Sequence, residues 1–233
     1  MRYSSSTIIV LIGVFLFAAN GMAAAKKPAP SIDRVILEME KVREGIQDLT
    51  AVVEREIPGV AGRPASVAEI FVSYRNPDRL RTEVKGPDSR VVLINGDKMW
   101  VYSPGLEVVE IYALENEEAR LRAIYQSSWG LTSPIKALVR GMNRTLTVLP
   151  DGSYRVDLVP DQKDAEIERI VAWVDPATWL ITRMEIHQPG RPEIALAIKS
   201  WRSNQGVDDA VFDFRPPPGA DVFEPLQKNG GSL

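Results

Sequence analysis

From Ile32 onward, apolar residues recur at three- and four-residue steps: Ile32, Val35, Ile36, Met39, Val42, Ile46 and Leu49. That period puts them on one helical face and predicts a helix over residues 32–47. Ser31 stands where an N-cap is wanted, and Asp33 suits the positive end of the helix. Past Leu49 the period falls to two. Residues 67–74, 79–85, 90–95, 98–103 and 107–112 are short β-branched or aromatic runs, separated by Asn76-Pro77, Gly86-Pro87, Asn95-Gly96-Asp97 and Ser103-Pro104-Gly105. Turns this close together predict antiparallel hairpins. Helix formers return over 115–126, with Leu121, Ile124 and Tyr125 on one side. Ser133-Pro134 then offers a cap and a first-turn proline before Ile135, Leu138, Val139 and Met142. The strand pattern resumes at 145–149, 154–159, 168–174, 179–187, 193–201 and 211–214.

Many of these strands alternate cleanly. Leu80, Thr82 and Val84 oppose Arg79, Arg81, Glu83 and Lys85; Tyr154, Val156 and Leu158 oppose Arg155 and Asp157; Ile194, Leu196 and Ile198 oppose Glu193 and Lys199. One wet and one apolar face is the mark of a single antiparallel sheet. Ten or eleven such strands must curl or be covered, and the helices are the available cover. The expected fold class is therefore α+β: a strongly curved antiparallel sheet, an incomplete β-barrel, with helices as a lid in its concavity.

The first 25 residues change the picture of where this domain works. Arg2 is followed by a twelve-residue apolar run, Ile8–Ala19, and by small residues at Ala23–Ala25. Twelve residues fall short of the ~20 needed to span a bilayer, so the pattern predicts a cleaved secretory signal over 1–25. The expected division of the rest is a proline-rich lead-in over 26–30, one domain over 31–225, and a Gly-Gly tail over 226–233 whose composition predicts disorder. The chain has no cysteine, which excludes both an N-terminal lipid anchor and a disulfide framework. Without the signal, 27 Lys and Arg face 31 Asp and Glu, a net charge of −4. That balance argues against nucleic acid as the partner.

Catalytic signatures are missing. No G-x-S-x-G, H-E-x-x-H or P-loop pattern occurs, and His187 is the single histidine. One histidine and no cysteine leave little for a transition metal. The expectation is a protein that is not an enzyme and uses neither cofactor nor metal. Glu115, Glu117 and Glu118 sit in a first helical turn, where acids favour the dipole. Asp208 and Asp209 sit in a turn after Gly206. The remaining signal is apolar: Trp100, Tyr102, Trp129, Trp173, Trp179, Trp201, Phe212 and Phe214 fall in or beside predicted elements.

Three stretches carry a resemblance: Ser73-Tyr74-Arg75-Asn76-Pro77-Asp78-Arg79-Leu80-Arg81, Asn95-Gly96-Asp97-Lys98-Met99-Trp100-Val101-Tyr102-Ser103-Pro104, and Phe212-Asp213-Phe214-Arg215-Pro216-Pro217-Pro218-Gly219-Ala220-Asp221-Val222. With the signal and the first helix, this order resembles the LolA-like superfamily of periplasmic outer-membrane lipoprotein carriers over residues 31–223. The resemblance implies a half-barrel whose lid covers an apolar cavity. It implies a monomeric periplasmic chaperone that takes acyl chains from an inner-membrane ABC transporter and passes them to an outer-membrane acceptor. The lid segments would be 32–47 and 115–142. Cavity-lining positions would be Leu80, Val92, Ile94, Trp100, Tyr102, Ile111, Val156, Leu158, Met184 and Leu196. In these carriers a strand-end arginine before proline bonds lid backbone in the closed form. Here Asn76 stands at that place and Leu80 at an aromatic position, which leaves Arg75 as the candidate latch. The superfamily also contains regulators of the same fold that act by binding a protein partner, an alternative to transport.

Overall fold

The computed structural model describes residues 29–225 apart from 61, 63, 129, 133 and 163–165. The signal segment, most of the lead-in, Trp129, the Ser133 cap and the tail from 226 lie outside the described residues.

The first helix, α1, runs Ile32–Glu44. Ser31 Oγ accepts from the Arg34 N–H at 3.2 Å, satisfying one of the donors a helix start leaves open. The helix ends at Glu44 with Gly45 as its C-cap, three residues short of the extent its apolar period predicts, as the Ile46 N–H bonds back to Arg43. The buried stripe is Val35, Ile36, Met39 and, past the end, Ile46.

Strands follow as β1 (Asp48–Ile57), β2 (Ser66–Arg75), β3 (Arg79–Lys85), β4 (Arg90–Asn95), β5 (Lys98–Ser103) and β6 (Val108–Ala113). Helices α2 (Glu117–Ser127) and α3 (Ile135–Leu138) come next. The chain continues through β7 (Met142–Val148), β8 (Tyr154–Pro160), β9 (Arg169–Val174), β10 (Ile181–His187), β11 (Ile194–Ser203) and a short β12 (Asp221–Phe223). All twelve join one open, curved sheet in the order β12-β6-β5-β4-β3-β2-β1-β11-β10-β9-β8-β7. The pairings are antiparallel except β12 on β6, which is parallel, so the sheet is mixed rather than purely antiparallel. It does not close: β12 and β7 are its two edges.

Three elements depart from the sequence pattern. β1 sits at the centre of the sheet although no strand is predicted there, because its inward series Leu49, Ala51, Val53 ends in Arg55 and breaks the alternation. Residues 211–214 are not a strand: Asp209–Phe212 form a 3-10 turn, capped by the Asp208 side chain on the Ala210 N–H. The helix expected to reach Met142 lasts one turn, since Gly141 turns left-handed at φ +69° and Met142 opens β7.

The inner face carries one continuous core, from Leu49, Val53, Ile70, Val72, Leu80 and Ile94 across to Val156, Leu158, Val174, Met184 and Leu196. α1 and the α2–α3 segment pack on it. The outer face is not simply wet. Leu93 and Val109 are fully buried there, roofed by the C-terminal segment through Phe212, 1% exposed, and by Phe214 against Trp100 at 6.3 Å. Asn95 Nδ2 donates to the Phe212 carbonyl at 3.3 Å, and Arg75 and Arg79 both pair with Asp209. Among the described residues no helix is long and apolar enough to cross a membrane.

Candidate ligand cavity

Strands β8–β11 present alternate side chains inward at a fixed register. Val156 lies opposite Ala172, which lies opposite Met184, which lies opposite Leu196; the next row runs Leu158, Ile170, Ile186, Ile194. Above these rows α1 and α3 do not seat flush. A cavity of about 260 Å³ remains, floored by Val156, Leu158, Ile170, Met184, Ile186 and Ile194. Ile36 and Met39 of α1, Ile135 and Leu138 of α3, and Tyr125 of α2 form its roof. Gln126 and Gln188 are its polar members. Burial raises the pKa of the Tyr125 phenol, so that hydroxyl stays neutral and the cavity carries no charge of its own at neutral pH. An apolar void of ~150 Å³ already takes up benzene; this one holds on the order of ten carbons by the same scale.

A second, wider groove of about 900 Å³ runs beside it, lined by Glu40, Arg43, Glu44, Tyr74, Arg122 and Arg140 among others. Tyr125 and Leu138 line both spaces and form the wall between them. Gly130 backs that wall. A Cβ there would meet Leu138 Cδ2 and Tyr125 Cε2 at 3.2 Å each, and its φ is +76°, so the position requires glycine.

Polar contacts hold the roof down. Arg43 of α1 donates through Nη2 to the Thr132 carbonyl, on the α2–α3 connection. Its guanidinium lies over the Tyr74 ring at 5.2 Å. Burial lowers the Arg43 pKa, opposed by the Tyr74 phenol and Glu40. Glu40, 5% exposed, accepts from the Lys136 N–H in α3 at 3.2 Å. Ser128 Oγ donates to the Ile124 carbonyl at 2.7 Å and lies 2.8 Å from Thr132 Oγ1. Thr82 Oγ1 donates to the Ser127 carbonyl at 3.1 Å, tying α2 to β3.

The expected site residues divide into three groups. Val156, Leu158 and Met184 line the cavity. Leu80, Val92, Ile94 and Leu196 face inward but are sealed within the core beside it. Trp100, Tyr102 and Ile111 lie on the outer face, and this corrects their expected place. In β5 the inward residues are Met99 and Val101, opposite Ile94 and Val92, and a shift of one residue reverses the side. Arg75 is likewise outward, one residue beyond inward Tyr74, and bound to Asp209. The guanidinium that reaches lid backbone is Arg43. Its position was hidden because α1 gives no register against the sheet. Of the missed lining residues, Ile36 and Met39 were legible as part of the α1 stripe. Outside the cavity, Glu185, His187 and Glu193 bring ligand atoms within 4.8 Å of one another. Arg183 already occupies Glu185, with Nη2 at 2.9 Å.

Residues 72–215 match the family model for the outer membrane lipoprotein carrier protein LolA. The outer-membrane lipoprotein carrier protein of Xanthomonas axonopodis pv. citri is 22% identical over 224 residues, covering 93% of this chain and 96% of that one. The protein of the same name from Azotobacter vinelandii is 25% identical over 217 residues, covering 92% and 99%. Among solved structures, an uncharacterized conserved protein from Thermus thermophilus shares the fold at a TM-score of 0.52 and 13% identity, covering 84% of this chain and all of that one. The chain belongs to the LolA family of outer-membrane lipoprotein carrier proteins.

Proposed function

We propose that this chain is a periplasmic carrier that shelters acyl chains of a lipoprotein, or of another lipid, in the cavity under α1 and α3. On this reading it takes its cargo from an inner-membrane ABC transporter and delivers it to an outer-membrane acceptor. The carrying observation is the uncharged cavity of about 260 Å³ between the helices and β8–β11, in a chain whose full-length relatives are named lipoprotein carriers.

Energetics support a closing roof rather than a fixed pocket. At ~0.8 kcal/mol per buried methylene, a sixteen-carbon chain offers ~13 kcal/mol. The closed cavity holds fewer carbons than that, so α1 and α3 must part to admit the rest. Their parting breaks the Arg43–Thr132 and Glu40–Lys136 contacts. In this reading Arg43 is the latch, and its cost on opening offsets part of the gain from the lipid, which keeps release feasible.

The test is native mass spectrometry of the protein purified from its own periplasm, followed by lipid extraction. A bound species carrying acyl chains is expected, and Met184→Asp should lose it while remaining folded by circular dichroism. An empty wild-type protein that takes up no acylated ligand when offered one would overturn the reading and favour a protein-binding regulator.

A further inference from the structure

One apolar row of the cavity floor ends in a cation. Ile194, Ile186, Ile170 and Leu158 all line the cavity, and the row continues by one strand to Arg144, which opposes Leu158 in the register of β7 on β8. Residues paired in this way share a face, so the edge strand adds a positive charge to the concave side of the sheet. An open recess of about 430 Å³ lies there, lined by the cations Lys136, Arg140 and Arg144 and by Asp161. Ile36 of α1 and Val139, the residue after α3, line the recess and the cavity alike. The two spaces therefore meet at the seam between α1 and α3. The cations are not neutralised in place. Arg144 stands 3.6 Å from Asp33 of α1, too far for a hydrogen bond, and Asp33 is 78% exposed. Asp161 accepts from Asn143 Nδ2 at 2.7 Å. Lys136 and Arg140 are exposed and form no ion pair among the described residues. This local excess of positive charge sits in a chain whose formal net charge is −3.

An apolar chamber that opens at a seam onto a cationic recess matches an amphiphile with an anionic head. We propose that Lys136, Arg140 and Arg144 receive the oxyanion head of such an amphiphile, a lipid phosphate, whose chain lies in the cavity under α1 and α3. Ile36 and Val139 belong to the two sides of the roof, so the chain passes between them as the roof parts. A head held in an open recess keeps much of its hydration and avoids the cost of burying an anion in the cavity itself. The arginine forks suit a phosphate bidentately, and Lys136 adds a point charge. Arg144 is held to Asp33 loosely enough to turn toward the incoming anion. A free phosphate shares the anion chemistry but makes no use of the apolar row, so the amphiphile is the ligand this placement favours.

The inference rests on the carrier reading, and one set of titrations separates the two. The full protein is titrated with decyl phosphate, with decanol and with inorganic phosphate, the chain being on the order of the ten carbons the cavity holds. Decyl phosphate is expected to bind at least about fivefold more tightly than decanol, the scale of a charge-assisted hydrogen bond at an exposed site. The difference should shrink at about 1 M salt, where exposed charges are screened. Lys136→Gln combined with Arg140→Gln should bring decyl phosphate down toward the affinity of decanol, while Lys136→Arg with Arg140→Lys, which keeps both charges, should retain the preference. Equal binding of the two amphiphiles by the wild type, or a preference that survives the glutamine substitutions, would overturn the inference and leave the carrier reading intact. Inorganic phosphate binding as tightly as decyl phosphate would overturn it in favour of a free-anion site. Failure of both amphiphiles to bind would remove the carrier reading and this inference together. The wild-type comparison and its salt dependence decide the matter should the double variant not fold.

Discussion

Arg43 is mostly desolvated and only partly bonded: Nη2 reaches the Thr132 carbonyl, while Nε and Nη1 find no acceptor among the described residues. Replacing such a group by an apolar one of similar length removes a desolvation cost and a bond together. Arg43→Met should therefore change global stability by no more than about 1–2 kcal/mol, yet speed amide hydrogen exchange over residues 128–139 with the sheet amides unaffected. Uniformly faster exchange would show that Arg43 supports the whole fold rather than the roof. Tyr125 gives a second residue-scale outcome. Burial raises its pKa above the usual 10.0, so the folded chain holds the phenolic proton where the unfolded chain has released it. Its contribution is complete below about pH 10 and declines as pH rises through the window up to the raised value. Denaturation midpoints should fall across that window in the wild type, and less in Tyr125→Phe; identical slopes would contradict this. Sequence could not rank these residues. Arg43 and Arg75 are both arginines beside predicted lid or strand ends, and choosing between them needs to know which face Tyr74 takes.

Among the elements, the α2–α3 connection is the one whose geometry the cavity depends on. Gly130 turns left-handed against Leu138 and Tyr125, the pair dividing cavity from groove. Gly130→Ala meets both a backbone penalty of ~1–2 kcal/mol and a 3.2 Å approach to each side chain. The expected outcome is a lower melting temperature together with altered uptake of an apolar fluorescent probe. A lower melting temperature with unchanged uptake would show that the dividing wall yields without consequence. Elements with a single clean period were legible: α1 and the hairpins β2–β6 fall within a few residues of their predicted bounds. Of the three that departed, two did so for plain physical reasons. β1 places a cation in an inward slot, which erases the alternation a strand shows. α3 keeps helical spacing to Met142, but Gly141 at φ +69° ends the helix and turns that residue into the first of β7.

At the scale of the whole molecule, the sheet separates two apolar layers with different duties. The inner layer surrounds the cavity, and its packing is left incomplete where the roof stands off the strands. The outer layer, built on Leu93 and Val109, has no α-helix over it among the described residues and is closed by residues 212–223: Phe212 at 1% exposure, Phe214 on Trp100, and β12 added in parallel to β6. The terminal F-x-F-x-P-P-P-G-A-D-V stretch was legible as a motif. Its role was not, because alternation in β4 and β5 gave apolar side chains to both faces and nothing in the spacing says which face a distant segment covers. That arrangement lets stability and binding be separated. Phe212→Ala removes a fully buried ring and should cost about 3–5 kcal/mol, read as a lower urea midpoint with an unchanged slope. The protein that remains folded should bind acyl ligand with wild-type affinity, because the cavity is floored by the inner face of β8–β11 while the Phe212 segment packs against β3 and β4. A loss of affinity in the folded fraction would mean that the outer layer sets the curvature of β8–β11 and hence the width of the cavity, and the two layers would then have to be treated as one mechanical unit.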